Sequence, residues 1–259
     1  MNSEEYEIRN RDRPSQPIDI VCERELVVVD VGAQKLADEE HIYSPLVGGT
    51  RCRVIGFEPL EHRRAEMTAA DPSLLVLPYF IGDGSEQTFY VNNDDATSSL
   101  LPLNVTGVAD LGHLHTLRTV NTERVPTKRL DDVLSNEEVV DFLKLDIQGF
   151  ELQALIGAEE VLKRTNVVHC EIEFLQIYEE QPLFSEVEIH LRSRGFQFID
   201  FTTLCRYPFL NASSRQSERL GWGDAVFFRD GGDAKAQAAI ASLVYGKTGL
   251  ARYLIDRAR

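Results

Sequence analysis

Leu26-Val27-Val28-Val29 is an unbroken apolar run that leads into Asp30, Val31 and Gly32. Such a run predicts a strand buried on both faces that stops abruptly at its carboxyl end. A second run, Cys52-Arg53-Val54-Ile55-Gly56-Phe57, comes about one helix later and finishes on Glu58-Pro59. Two parallel strands joined by a crossover put Asp30, Gly32 and Glu58 at one edge of a sheet, where open α/β sheets bind their ligands. Further strands are predicted at 74–77, 88–91, 118–125, 141–146, 167–174, 196–201 and 224–228. Helical spacing recurs at Leu36, Ile42, Tyr43 and Leu46, over 61–70, over 128–134, at Leu152, Leu155, Ile156 and Leu162 behind Gly149, and at Leu183, Val187 and Leu191 before Gly195. An Ala-rich helix begins near Lys235, breaks at Gly246 and is followed by a last short helix. Strand and helix alternate, which predicts an α/β fold with a doubly wound sheet. The expected divisions are an N-terminal arm (1–20), one Rossmann-like domain (21–230) and a C-terminal helical extension (231–259). Residues 92–116 show little periodicity, as lids and binding loops do.

Composition narrows the choices. The chain of 259 residues is 43% hydrophobic, enough for one large core, and carries a formal charge of −15. That charge argues against nucleic acid and anionic membranes as partners. No apolar run approaches a bilayer span and the first residues lack a signal-peptide pattern, so a soluble, cytoplasmic protein is expected. Cys22, Cys52, Cys170 and Cys205 are scattered, which predicts reduced, mostly buried thiols and neither a zinc site nor a disulfide framework. Ile240, Leu243 and Val244 give the Ala-rich helix an apolar face that fits either its own domain or a homodimer.

Glu58 stands where nucleotide-binding sheets place a carboxylate for the ribose hydroxyls. Gly32-Ala33-Gln34-Lys35-Leu36-Ala37 lacks the second and third glycines that admit a pyrophosphate. A cofactor without pyrophosphate, such as S-adenosylmethionine, needs neither. An NAD(P)-dependent oxidoreductase and a non-catalytic binding module remain open at this point. A substrate that must lose or gain a proton needs a carboxylate or imidazole nearby. Asp146, at a strand's carboxyl end, is the first candidate, and its alternative is a helix cap. Glu171 and Glu173 share a face by alternation: they face the acceptor, bind a metal with Asp146, or form a solvated edge. His113, His115, His169 and Trp222 read as surface or packed residues. Ser98 and Ser99 fit either a ligand contact or a turn.

Asp30-Val31-Gly32-Ala33, Gly56-Phe57-Glu58-Pro59, Gly82-Asp83-Gly84, Thr97-Ser98-Ser99-Leu100, Phe142 to Glu151 and Gly157-Ala158 stand in the order and spacing of FkbM-type methyltransferases. Tyr178 to Phe184 and Asp224-Ala225-Val226-Phe227 resemble that family's later part, so the resemblance spans roughly 26–230. It implies a class I, Rossmann-like methyltransferase, mostly parallel with a late antiparallel strand, using S-adenosylmethionine to O-methylate a small molecule such as a sugar or secondary metabolite. Carried over, Asp30 and Gly32 lie beside the methionine part of the cofactor, Glu58 and Pro59 at the ribose, Asp83 near the adenine, and Ser98 against the cofactor. Asp146 faces both methyl and acceptor, with Glu171 as a second catalytic candidate. Gln34-Lys35-Leu36 departs from the Asn and Gly usual in the family's loop.

Overall fold

The computed structural model describes residues 20–33, 40–71, 74–210 and 216–258. Most of the expected arm, the Gln34-Lys35-Leu36 loop, Pro72 and the tip of the late polar loop lie outside them. In chain order the elements are β1 (Leu26–Val31), α1 (Ser44–Gly49), β2 (Cys52–Phe57), α2 (Glu61–Ala70), β3 (Leu75–Leu77), β4 (Phe80–Ile81), β5 (Glu86–Asn92) and β6 (Thr119–Lys128). There follow α3 (Leu130–Val133), β7 (Val140–Leu145), α4 (Glu151–Ile156), α5 (Glu159–Lys163), β8 (Thr165–Glu173), α6 (Phe184–Ser193), β9 (Phe196–Pro208), β10 (Ser217–Arg229), α7 (Ala234–Leu243) and α8 (Thr248–Arg257). Seven strands form the main sheet in the order β3-β2-β1-β7-β8-β10-β9. β10 runs antiparallel to both its neighbours, and the other pairings are parallel. This is the doubly wound sheet with a late antiparallel strand that the resemblance implies. The strand order reverses beside β1, the switch point where such sheets open a crevice.

The two faces of this sheet differ. Val27, Val29, Leu143, Leu145, Val168, Ile172 and Phe227 point to one side and pack with Leu155, Val161, Leu162 and Leu191 of α4, α5 and α6. The opposite face starts equally apolar, with Leu26, Val28, Phe142, Val167 and Val226 under Ala238, Ala239 and Ile240 of α7. Two residues further along each strand it becomes polar. Asp30 pairs in register with Lys144 and Lys144 with His169, while Glu171 lies opposite Asp224. Alternation thus turns an apolar floor into charged rungs at the carboxyl edge of the sheet.

Several expectations change. The helix behind Gly149 is two helices, because a Cβ at Gly157 would stand 2.0 Å from the Gly82 carbonyl oxygen and the chain breaks at this close approach. Ile156, expected on the packed face, is therefore exposed. The two late strands are each 13 residues long, since bulged antiparallel pairing carries the hairpin past its apolar part. Only Cys170 among the thiols is fully buried. Ile240 packs into the chain's own core, which takes up the apolar face of α7. Among the described residues no helix is long and apolar enough to cross a membrane.

Candidate active site

A cavity of about 670 Å³ opens at the carboxyl ends of β1, β2, β7 and β8. Gly32, Glu58, Pro59, Ser98, Asp146 and Glu171 line it. Gly32 has φ +82°, and a Cβ there would lie 1.9 Å from the Asp146 carbonyl oxygen. The first loop therefore seats directly on the end of β7, which only glycine permits. Glu58 is buried, with Oε1 accepting from the Leu60 N–H at 2.8 Å. Burial raises its pKa, an effect that this backbone donor opposes.

Asp30 lies one layer below the cavity wall. Its Oδ2 accepts from the Tyr43 hydroxyl at 2.8 Å, and its Oδ1 stands 3.3 Å from Lys144 Nζ. Lys144 reaches Asp146 Oδ2 at 3.2 Å, so one ammonium sits between two carboxylates. Burial works against the charge on Lys144, but the two acids outweigh it and its pKa rises. Burial likewise disfavours the Asp146 carboxylate, yet Lys144 and hydrogen bonds from its neighbours hold its pKa below the usual range. Lys144 is the residue that sequence reading missed; it stands directly opposite Asp30 in register.

Glu171 and Glu173 are buried under β10 and are not a solvated edge. Burial, then the charge of Asp146 and other nearby acids, pushes the Glu171 pKa well up, and Glu173 follows the same pattern. His169 is a cavity-wall residue with Nδ1 3.2 Å from the Tyr245 hydroxyl, and burial lowers its pKa to about 3. Trp222 also lines the cavity. Among the described residues no group of three His, Cys, Asp or Glu side chains is arranged to hold a metal ion. Asp83, expected near the adenine, lies outside the cavity lining; its Oδ1 accepts from Ser85 N at 2.9 Å and Ser85 Oγ at 2.5 Å, closing an exposed turn. His113 and His115 flank or form a short 3₁₀ turn away from the cavity wall, in which Leu114 takes part instead.

The segment 95–100 crosses the cavity as a strap. Arg63 Nη2 donates to Asp95 Oδ2 at 2.5 Å near Glu58, and Ser99 Oγ donates to the Gln148 carbonyl at 2.6 Å near Asp146. Ser98 faces the cavity, and its Oγ accepts from Asn92 N at 3.0 Å within the turn.

Behind Asp146 the chain turns through Gln148 (φ +57°) and Gly149 (φ +94°). Glu151 Oε1 closes the turn, accepting from Ile147 N at 2.8 Å and Gly149 N at 3.2 Å. Burial lifts the Glu151 pKa to about 7 against these donors. A raised carboxyl pKa means the native state holds a proton that the unfolded chain releases near pH 4.5. The associated stability is complete below that pH and is lost as pH rises through 7. Glu151→Gln keeps an acceptor for the turn and removes the titration. Urea unfolding should show wild type losing about 3 kcal/mol relative to the variant between pH 4.5 and 8; equal slopes would refute the assignment.

Family comparison follows from this geometry. The methyltransferase FkbM domain matches residues 30–198. The chain belongs to the FkbM methyltransferase family. This FkbM methyltransferase uses S-adenosylmethionine, and the oxidoreductase alternative is thereby overturned. Glu58, Asp95 and Asp146 line the cavity with carboxyl groups, a donor set that fits a cationic, ribose-bearing cofactor. Solved structures similar to the chain include magnesium protoporphyrin IX methyltransferase of Synechocystis with bound SAM, at 10% identity, covering 87% of this chain and 76% of that one with TM-score 0.37. A TehB-like SAM-dependent methyltransferase of Corynebacterium glutamicum has 12% identity, coverage of 88% and 98%, and TM-score 0.36. TYW2 of M. jannaschii in complex with AdoMet has 13% identity, coverage of 89% and 78%, and TM-score 0.32. At these values the likeness extends to no residue of the site. No curated protein matches the chain.

Proposed function

We propose that this FkbM methyltransferase transfers the sulfonium methyl to a hydroxyl of a small molecule such as a sugar or secondary metabolite, in the cytoplasm. The observation that carries this reading is the Asp146 and Glu171 pair, two carboxyl groups of opposite pKa direction side by side in one cavity. When bound, S-adenosylmethionine supplies an electrophilic methyl on a cationic sulfur. Asp146, kept ionised by Lys144, faces that cation and orients the acceptor hydroxyl. Glu171, in its ionised form, takes the hydroxyl proton. In-line positioning supplies most of the rate, and the strap and the buried cavity wall hold water away from the reacting atoms. Glu58, beside Pro59, accepts from the ribose; Gly32 lets the first loop approach the methionine part, and Asp30 acts from below through Lys144. This reading assigns no contact to Asp83. Ser98 meets the cofactor from the strap.

Calorimetric titration with S-adenosylmethionine and its demethylated product tests the reading. Wild type should bind both in the micromolar range, and Glu58→Ala should weaken binding about 100-fold through loss of two charge-assisted hydrogen bonds. A wild-type protein that binds neither sinks it. Binding without methyl transfer to any of a panel of sugars and other alcohols would identify a non-catalytic module instead.

A further inference from the structure

Gln148 is a non-glycine residue at φ +57°, in the turn that follows Asp146. Left-handed backbone at a residue with a long side chain is unfavourable and persists where surrounding contacts over-determine it. Here they do. Its carbonyl accepts from Ser99 Oγ at 2.6 Å, and its side-chain Oε1 accepts from the Tyr178 hydroxyl at 3.2 Å. Tyr178 is itself buried, and its single hydroxyl hydrogen is shared between the Thr97 carbonyl at 2.8 Å and Gln148 Oε1 at the longer distance, so Tyr178 and the strap hold Gln148 together.

With backbone and carboxamide oxygen held, the amide nitrogen has one direction left. Nε2 lies 3.2 Å from Asp146 Oδ1 and 2.9 Å from Glu171 Oε2. A primary amide carries two N–H donors, and this one offers a donor to each of the two acids. A glutamate of the same length would place a third carboxylate between them, and an asparagine would fall short by about one C–C bond, ~1.5 Å.

We propose, on the proposed methyl-transfer reading, that Gln148 is a positioning residue: locked by Tyr178 and the strap, its amide holds Asp146 and Glu171 in fixed relation and favours the ionised form of Glu171 that accepts the acceptor's proton. The titratable groups that act on Glu171 are Asp146 at the end of β7, Glu173 on its own strand, Asp224 on β10, Glu151, and the hydroxyls of Tyr178 and Tyr207. All the acids among them push Glu171 toward protonation. Gln148 is the hydrogen-bond donor that opposes them at Oε2.

The test is carboxyl ¹³C NMR titration of Glu171, its signal assigned by its loss in Glu171→Gln, in wild type, Gln148→Asn and Tyr178→Phe. Asparagine tolerates the left-handed backbone, so Gln148→Asn separates the turn from the amide contact. The Glu171 midpoint should rise by about one pH unit in Gln148→Asn, a tenfold change in proton affinity, and by less in Tyr178→Phe. S-adenosylmethionine affinity by calorimetry should change by less than about threefold in both, as expected for a group that touches the acids and not the cofactor. An unmoved midpoint in Gln148→Asn overturns the proposal; should that variant not fold, an unmoved midpoint in Tyr178→Phe does so. Failure of wild type to bind S-adenosylmethionine would instead defeat the functional reading and leave the titration to decide Gln148.

Discussion

Replacing Lys144 by Met should cost about 4 kcal/mol of stability at pH 8, the range found when one partner of a buried ion pair is removed. Asp30 is fully buried and Lys144 nearly so, and the ammonium stands 3.3 Å from one carboxylate and 3.2 Å from the other. Met keeps most of the side-chain volume, so the loss reports charge and not a cavity. Buried Asp30 then loses its ammonium partner, with the His41 imidazole left 3.5 Å from its other oxygen, and part-exposed Asp146 loses the same charge. The pH dependence separates this from a packing defect. Lys144 depresses the Asp146 pKa, so the stability it contributes is present above the unfolded value near 4 and is lost as pH falls through the folded one. The gap between wild type and variant should therefore hold from pH 8 down to about 4 and narrow as the pH falls below that. Urea unfolding across that range checks it, and a pH-independent gap, or one below about 1 kcal/mol, would refute the account.

Asp141→Ala should cost a similar amount, about 4 kcal/mol, far from the cavity. Asp141 begins β7, is fully buried, and receives both guanidinium nitrogens of Arg24 at 2.6 Å, Val27 N at 2.9 Å and Asn166 Nδ2 at 2.8 Å. Arg24 also reaches Asp233 at 2.9 Å, and Asp233 caps α7 through Lys235 N and Ala236 N. One carboxylate thus ties β1, β7, β8 and the C-terminal helix together. Arg24 is partly exposed, so its ion pair contributes the smaller share. The larger share is the desolvation of Val27 N and Asn166 left without an acceptor. Asp141→Asn, which keeps one acceptor oxygen, should lose about half as much. A thermal or urea midpoint unchanged in Asp141→Ala would show that water replaces the carboxylate at no cost.

The apolar strands and the acids that end them were legible in the sequence because burial on both faces leaves a continuous hydrophobic signature, as in β1 and β7. Glu58, Asp146 and Glu171 could be placed at one edge from that signature alone. Lys144 was hidden because a lysine in an apolar run reads as a surface position until the neighbouring strand supplies Asp30. For Glu171 and Glu173 a solvated edge stayed open because alternation fixes a face but not what surrounds it; the neighbouring strand, β10, lies some fifty residues further along. The length of β9 was also illegible. Thr202-Thr203-Leu204-Cys205-Arg206 has one face in solvent and no apolar periodicity, and only pairing with β10 makes it a strand. The Asp83 contact was not legible either: Ser85 two residues on draws its carboxylate into the turn. Gln148 lay within the most specific motif, yet its role depends on a hydroxyl from Tyr178, thirty residues away in sequence.

The seat of Gly32 on the Asp146 carbonyl also sets an order of events during synthesis. β1 pairs with β2 early, through a short crossover, but its other edge waits for Phe142 and Leu143 of β7. Until those residues leave the ribosome, β1 presents an unpaired apolar edge and the first loop has nothing to rest on. Long-range parallel pairing of this kind is slow, because loop closure precedes any gain from contact. The ligand-binding edge is thus a late product of folding, and a nascent chain that stops before β7 exposes the Leu26-Val27-Val28-Val29 run as a sticky intermediate suited to chaperone capture.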